Sequence, residues 1–153
     1  MELPAGLEEV PEHAFSRCRA LRSVVFRGGS TLRAIWAGAF EWTALEDFSA
    51  PPGLREIGME SFYGCRSLRS ARLNEGLEAL GADEEQWWMR RRCGVFQSSG
   101  LERVWLPSTL RVVGMAAFRG CKALREVRAA GDSAAVVAGK LGPSVQVISE
   151  EAE

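Results

Sequence analysis

The side chains best able to do covalent or metal chemistry are few and poorly placed for it. Four cysteines and one histidine are spread over 153 residues. Cys18, Cys65 and Cys121 share one column of a repeating pattern, and Thr43 and Ser99 fill the positions between them. Alternate rungs of a stacked sheet lie about 10 Å apart, beyond the ~4.4–6.8 Å between Cα atoms that a disulfide spans. No C-x-x-C pair and no neighbouring histidine offers a zinc site, so the column is expected to hold buried, small, hydrophobic thiols. Cys93 lies in an irregular segment and is the thiol expected to meet solvent. His13 has no serine, cysteine or carboxylate motif around it and is expected to serve the surface or the packing. Arg27-Gly-Gly-Ser-Thr31 lacks the lysine that a phosphate-binding loop requires. These residues predict no catalytic group, no metal and no cofactor, so the chain is expected not to be an enzyme.

The composition is that of a soluble globular domain, with 46% apolar and 25% charged residues. It excludes a disordered tail, a collagen-like fibre and a disulfide-dense miniprotein. Nineteen basic residues against twenty acidic ones leave a formal charge of −1, so no global field recruits nucleic acid or an acidic membrane. Arg90-Arg-Arg92 is too short a run to alter that expectation. No apolar run approaches the roughly 18 residues of a membrane span. The first residues show neither the basic start nor the apolar core of a signal peptide. The compartment stays unassigned, with an intracellular location favoured on that ground.

What would position any functional side chain is a repeat, the first thing to establish in such a sequence. Leu7-Glu-Glu-Val10 is followed five residues on by Phe15. Leu32-Arg-Ala-Ile35 leads in the same way to Phe40, Leu54-Arg-Glu-Ile57 to Phe62, and Leu110-Arg-Val-Val113 to Phe118. Leu77-Glu-Ala-Leu80 reaches Phe96 after eleven extra residues. Past each phenylalanine come the cysteine column, a leucine (Leu21, Leu45, Leu68, Leu101, Leu124) and a further core position (Val24, Phe48, Ala71, Val104, Val127). The five units read L-x-x-I-x-x-x-A-F-x-x-C-x-x-L-x-x-V-x-L over residues 1–130.

A unit of about 23 residues cannot bury its apolar face alone, whereas stacked units bury a continuous core. The closing L-x-x-V-x-L alternates as a strand does, so stacked copies predict a parallel sheet. The A-F-x-x-C segment allows at most a turn or two of helix, ended by Gly64 or Gly120. The five phenylalanines are expected to stack as a spine away from the sheet, each costing about 3–5 kcal/mol when truncated to alanine. Leu54-Arg-Glu-Ile-Gly-Met-Glu-Ser-Phe-Tyr-Gly-Cys-Arg-Ser-Leu68, Leu110-Arg-Val-Val-Gly-Met-Ala-Ala-Phe-Arg-Gly-Cys-Lys-Ala-Leu124 and the strand-then-proline segment Val104-Trp-Leu-Pro107 resemble the BspA-like leucine-rich repeats. The resemblance covers about residues 3–130. It implies an α/β, horseshoe-type leucine-rich-repeat solenoid, with a parallel sheet on the concave face and short turns or helices on the other side. It also implies the binding of other macromolecules without catalysis, with a cell-surface adhesin as one form of that role.

Two segments break the pattern. Residues 83–93 read as a short helix: Asp83 as N-cap, Gln86 at the capping-box position, acids first, arginines last, then Gly94. Either Trp87, Trp88 and Met89 pack down on the solenoid, or Trp87, Trp88, Arg90 and Arg91 contact a partner. Residues 131–153 predict a C-terminal cap. It comprises a helix begun at Asp132 or Ser133 and stopped at Gly142-Pro143, a restarted repeat at Val145-Gln-Val-Ile148, and a frayed acidic tail. Leu3-Pro4 resembles the end of a strand whose start is missing, so the expectation is a fragment of a longer protein or an N-terminal end covered by something else.

Between the core positions, side chains are expected to project from the concave sheet. One outward column is Ser23, Asp47, Ser70, Arg103, Glu126; the next is Val25, Ser49, Arg72, Trp105, Arg128. Tryptophan and arginine are the types most enriched at interaction hot spots. Trp105 between Arg72 and Arg128 is either such an anchor or an indole covered by stacked arginines. The predicted function is a protein-interaction module that binds a protein partner through Asp47, Arg72, Arg103, Trp105, Glu126 and Arg128. The alternative is a structural segment stacked end-on through its uncapped N-terminal edge.

Overall fold

The computed structural model describes residues 1–81 and 94–150. Its strands run β1 (Glu2–Leu3), β2 (Glu9–Val10), β3 (Val25–Phe26), β4 (Ala34–Ile35), β5 (Asp47–Ser49), β6 (Glu56–Ile57) and β7 (Ser70–Arg72). Then follow β8 (Ala79–Leu80), β9 (Arg103–Leu106), β10 (Val112–Val113), β11 (Glu126–Ala130), one helix α1 (Ser133–Val137) and β12 (Gln146–Glu150). All pairings among the described residues are parallel, and from β4 to β11 successive strands alternate between two sheets, one ordered β10-β8-β6-β4-β2 and the other β12-β11-β9-β7-β5, with β1 and β3 paired in a third. Each coil of chain therefore gives one strand to each sheet, which is a solenoid.

The expected strand segment forms the second sheet, with Phe48, Ala71, Val104, Val127 and Val147 in one register column. The first sheet is an addition to the sequence expectation: Val10, Ile35, Ile57, Leu80 and Val113 pair in two-residue strands. Two residues carry no periodicity, so composition alone does not reveal them as strands. Between the sheets the rungs turn instead of coiling into helices. The turn side has its own ladder, in which the Phe15, Phe40, Phe62 and Phe96 amides donate to Ala39, Ser61, Val95 and Ala117 carbonyls at 2.8–2.9 Å.

The spine is present. Successive rings Phe15, Phe40, Phe62, Phe96 and Phe118 stack at centroid distances of 5.3, 5.6, 5.3 and 5.8 Å with tilts of 10–14°. The last four are buried and Phe15, on the first rung, is partly exposed. The cysteine column needs correction. Cys65 is buried, but Cys121 is only partly so and Cys18 is exposed, because the end rungs have a neighbour on one side only. Nor is the column merely hydrophobic. Cys65 Sγ donates to the Phe40 carbonyl at 3.1 Å and Cys121 Sγ to that of Phe96 at 2.9 Å, while Thr43 Oγ1 bonds the Phe40 carbonyl at 2.9 Å.

The eleven-residue insertion leaves the stack undisturbed on both sides. Gly81 N–H donates to Ile57 O at 2.7 Å and Gly114 N–H to Leu80 O at 2.9 Å. The chain re-enters at Gly94, which passes so close to the next rung that a Cβ there would lie 1.7 Å from Ala116 O. The helix expected at 83–93, with Trp87, Trp88, Arg90, Arg91 and Cys93, lies outside the described residues.

At the C-terminal end, α1 stops at Val137, short of Gly142-Pro143, and Asp132 makes no side-chain capping bond. Ser133 is buried and bonds the Ala130 carbonyl at 2.7 Å. β12 runs parallel to β11 as far as Ser149↔Ala129 and Glu150↔Ala130, so these two residues belong to a strand and not to a frayed tail. At the other end Glu2–Leu3 pairs with Val25–Phe26 in a two-stranded sheet. Val25 is thereby separated from the outward column in which its sequence position placed it.

Candidate interaction surface

Strands β5, β7, β9 and β11 of the sheet β12-β11-β9-β7-β5 alternate strictly. Phe48, Ala71, Val104 and Val127 point into the core with at most 3% exposure. The residues between them form two outward columns: Asp47↔Ser70↔Arg103↔Glu126 and Ser49↔Arg72↔Trp105↔Arg128. The pleat thus brings Asp47, Arg72, Arg103, Trp105, Glu126 and Arg128 onto one face, with Trp105 between Arg72 and Arg128.

Trp105 is half-buried rather than projecting freely into water. The Arg72 guanidinium carbon stands 4.8 Å from the indole centroid, a cation–π contact at the edge of solvent. Arg128 is committed elsewhere: its Nε donates to Glu126 Oε1 at 2.6 Å and its guanidinium lies 3.6 Å from Glu150 Oε1. That hydrogen bond, with the charges of Arg128, Arg103 and Arg125 behind it, holds the Glu126 carboxyl below the usual range. The same bond raises Arg128. Asp47 accepts from Ser70 Oγ at 2.6 Å. A shallow groove of about 400 Å3 runs past the indole, lined among others by Arg72, Asn74, Trp105, Pro107 and Glu150.

Two features escaped the sequence reading. Just before each strand lies a column of alternating charge, Arg22, Glu46, Arg69, Glu102 and Arg125, whose amides bond rung to rung at 2.7–3.1 Å. Within it Glu102 pairs with Arg125 at 2.9 Å and with Arg69 at 3.7 Å. The column was discoverable by extending the repeat register one position outward. The second is around His13, which does acquire a carboxylate and a serine. Its Nδ1 lies 3.0 Å from Glu41 Oε1, and Ser16 Oγ donates to that same oxygen at 2.7 Å. The serine bonds the carboxylate and not the imidazole, so the three groups do not form a serine–histidine–carboxylate relay. Among the described residues no group of three His, Cys, Asp or Glu is placed to hold a metal ion. Among them, too, no helix is long and apolar enough to cross a membrane. The face presents an aromatic plane, guanidinium forks and carboxylates on one pleat.

A model of the BspA type leucine rich repeat region matches residues 1–84 and 92–134 in six copies. No curated protein matches the chain. Among solved structures it is similar to a leucine rich cell surface protein from Faecalibacterium prausnitzii A2-165, with a TM-score of 0.56 and 20% identity over 84% of this chain. The chain spans 38% of that protein. A leucine-rich repeat protein from Bacteroides ovatus ATCC 8483 aligns over 97% of this chain and 62% of its own, at 15% identity and a TM-score of 0.34. The first of these likenesses is one of fold.

Proposed function

The chain belongs to the BspA type leucine-rich repeat family, and from that premise we propose that it is a non-catalytic interaction module whose protein partner docks on the sheet face around Trp105. The observation that supports this reading is the half-exposed indole stacked by Arg72 beside a groove, on a strand paired on both sides. Tryptophan and arginine in such a setting dominate binding energies elsewhere. The ion pairs of Arg128 with Glu126 and Glu150 fix the rim and set the charge pattern a partner must match. With the partner in hand, Trp105→Ala is expected to weaken binding by about 2 kcal/mol. The thermal midpoint should fall by only a few degrees, since the side chain lies outside the core. An affinity unchanged within twofold overturns the reading.

End-on assembly is a second reading, favoured by one observation at the opposite end from the one expected. Val147 continues the core column of Val104 and Val127, yet 43% of it is exposed on the outermost strand.

A further inference from the structure

The turn side of the solenoid carries a second surface, away from the sheet face. The turns at Cys18, Cys65 and Cys121 hold one residue more before their leucine than the turns at Thr43 and Ser99. Each long turn places a basic residue directly after its cysteine, Arg19, Arg66 and Lys122, all exposed. The short turns place Ala44 and Gly100 there instead. The missing residue in the second rung leaves a notch of about 410 Å3 whose lining includes Arg19, Trp42, Ala44, Gly64 and Arg66.

Trp42 forms one wall. Arg66 lies over it at 5.8 Å and Tyr63 meets it edge-on at 5.2 Å. Its backbone is held at φ +56°, where the third and fifth rungs use Gly64 and Gly120 at +67° and +71°. The first and fourth rungs reach the same region with Arg17 at +61° and Ser98 at +59°, so the turn imposes this conformation on whatever residue stands there, and in the second rung it presents an indole. Among the described residues no carboxylate is ion-paired with Arg19, Arg66 or Lys122. Backbone donors here are spent on the ladder, Trp42 on Tyr63 O and Gly64 on Gln97 O, so a partner is read by side chains and not by strand addition.

The spacing selects the partner. Successive rings of the phenylalanine spine beneath this side stand 5.3–5.8 Å apart, close to the rise of about 5.4 Å for one turn of α-helix. A helix laid along the stacking axis meets one rung per turn. Arg19, Trp42, Arg66 and Lys122, on the first, second, third and fifth rungs, then face helix positions i, i+3 or i+4, i+7 and i+14. We propose that this face is a docking site for an acidic amphipathic helix of a partner protein, with carboxylates on Arg19, Arg66 and Lys122 and an apolar residue on Trp42. The near-neutral chain lacks the overall basic charge that nucleic-acid binding favours.

The test is a titration by fluorescence anisotropy with a labelled synthetic helix of roughly 21 residues, carrying Glu at i, i+7 and i+14 and Leu at i+3. Controls are a permuted peptide of the same composition and a single-stranded DNA oligomer. The patterned helix is expected to bind at least about tenfold tighter than the permuted one. The Arg19→Glu, Arg66→Glu double variant should lose at least that factor with an unchanged far-ultraviolet spectrum. The gentler Arg19→Gln, Arg66→Gln pair should lose part of it, and Trp42→Gly, which relieves the positive φ, should weaken binding too. Equal or undetectable binding of the two peptides overturns the proposal. So does tighter binding of the oligomer, or indifference of the patterned helix to charge reversal or to Trp42→Gly.

Discussion

Each phenylalanine of the spine brings a carbonyl into the interior, and the residue three positions on answers it. The Phe40 carbonyl takes the Thr43 amide at 3.3 Å, the Thr43 hydroxyl at 2.9 Å and the Cys65 thiol of the next rung at 3.1 Å. The alternation Cys, Thr, Cys, Ser, Cys thus makes sense as a column of small donors, a point that the hydrophobic reading of cysteine missed. On this account Cys65→Ser, which keeps a donor, should cost less than about 1 kcal/mol in urea denaturation, and Cys65→Val about 1–2 kcal/mol. A valine variant as stable as wild type would show that packing alone governs the position. Burial also pushes the Cys65 and Cys121 thiols up. Their contribution to stability is therefore complete below the unfolded thiol range, near pH 8.5, and is lost as pH rises through the higher folded values. In thiol labelling at pH 8, among the three column cysteines Cys18 should react first, Cys121 more slowly, and Cys65 only at the rate of unfolding.

At the level of elements, the columns of leucine, phenylalanine and valine were legible because repeated side-chain volume survives in a linear sequence. Parallel pairing, outward columns and the ring stack all followed from it. The two-residue strands did not, since their evidence is hydrogen bonding between rungs. Nor did the positive φ at His13, Arg17, Trp42, Glu60 and Ser98, where side-chain types give no warning. The insertion is the sharpest test of the repeat register. A Cβ built on Gly81 would lie 4.0 Å from Val95 N, so the two flanks already stand close together. Excising residues 83–93 restores the sibling spacing, with Ala82 and Gly94 bridging Gly81 to Val95. The shortened chain is expected to keep its far-ultraviolet spectrum and a thermal midpoint within a few degrees of the parent. A large loss of stability would mean that the segment belongs to the core. Gly94 must stay, because the close approach to Ala116 O admits no side chain.

For the whole molecule, the decisive property is that an all-parallel stack has two different ends. Interior rungs are satisfied on both sides, and the end rungs show the deficit: Cys18 is exposed at one end, Val147 at the other. α1 buries Val137 and Ser133 at the C-terminal end, but β12 forms the outer edge of its sheet, and an unpaired edge is a template for another chain. Joining unlike ends gives a heterologous contact that propagates, whereas pairing two β12 edges closes as a dimer. Light scattering over a concentration series is expected to give a mass above the 16.7 kDa of one chain, rising to a plateau at twice that value for edge pairing and without limit for head-to-tail stacking. Val147→Lys, which sets a charge at the uncovered core column, should return the protein to a single chain in either case. A mass of one chain at every concentration sinks end-on assembly and leaves the two lateral faces as the surfaces through which the solenoid meets its partners.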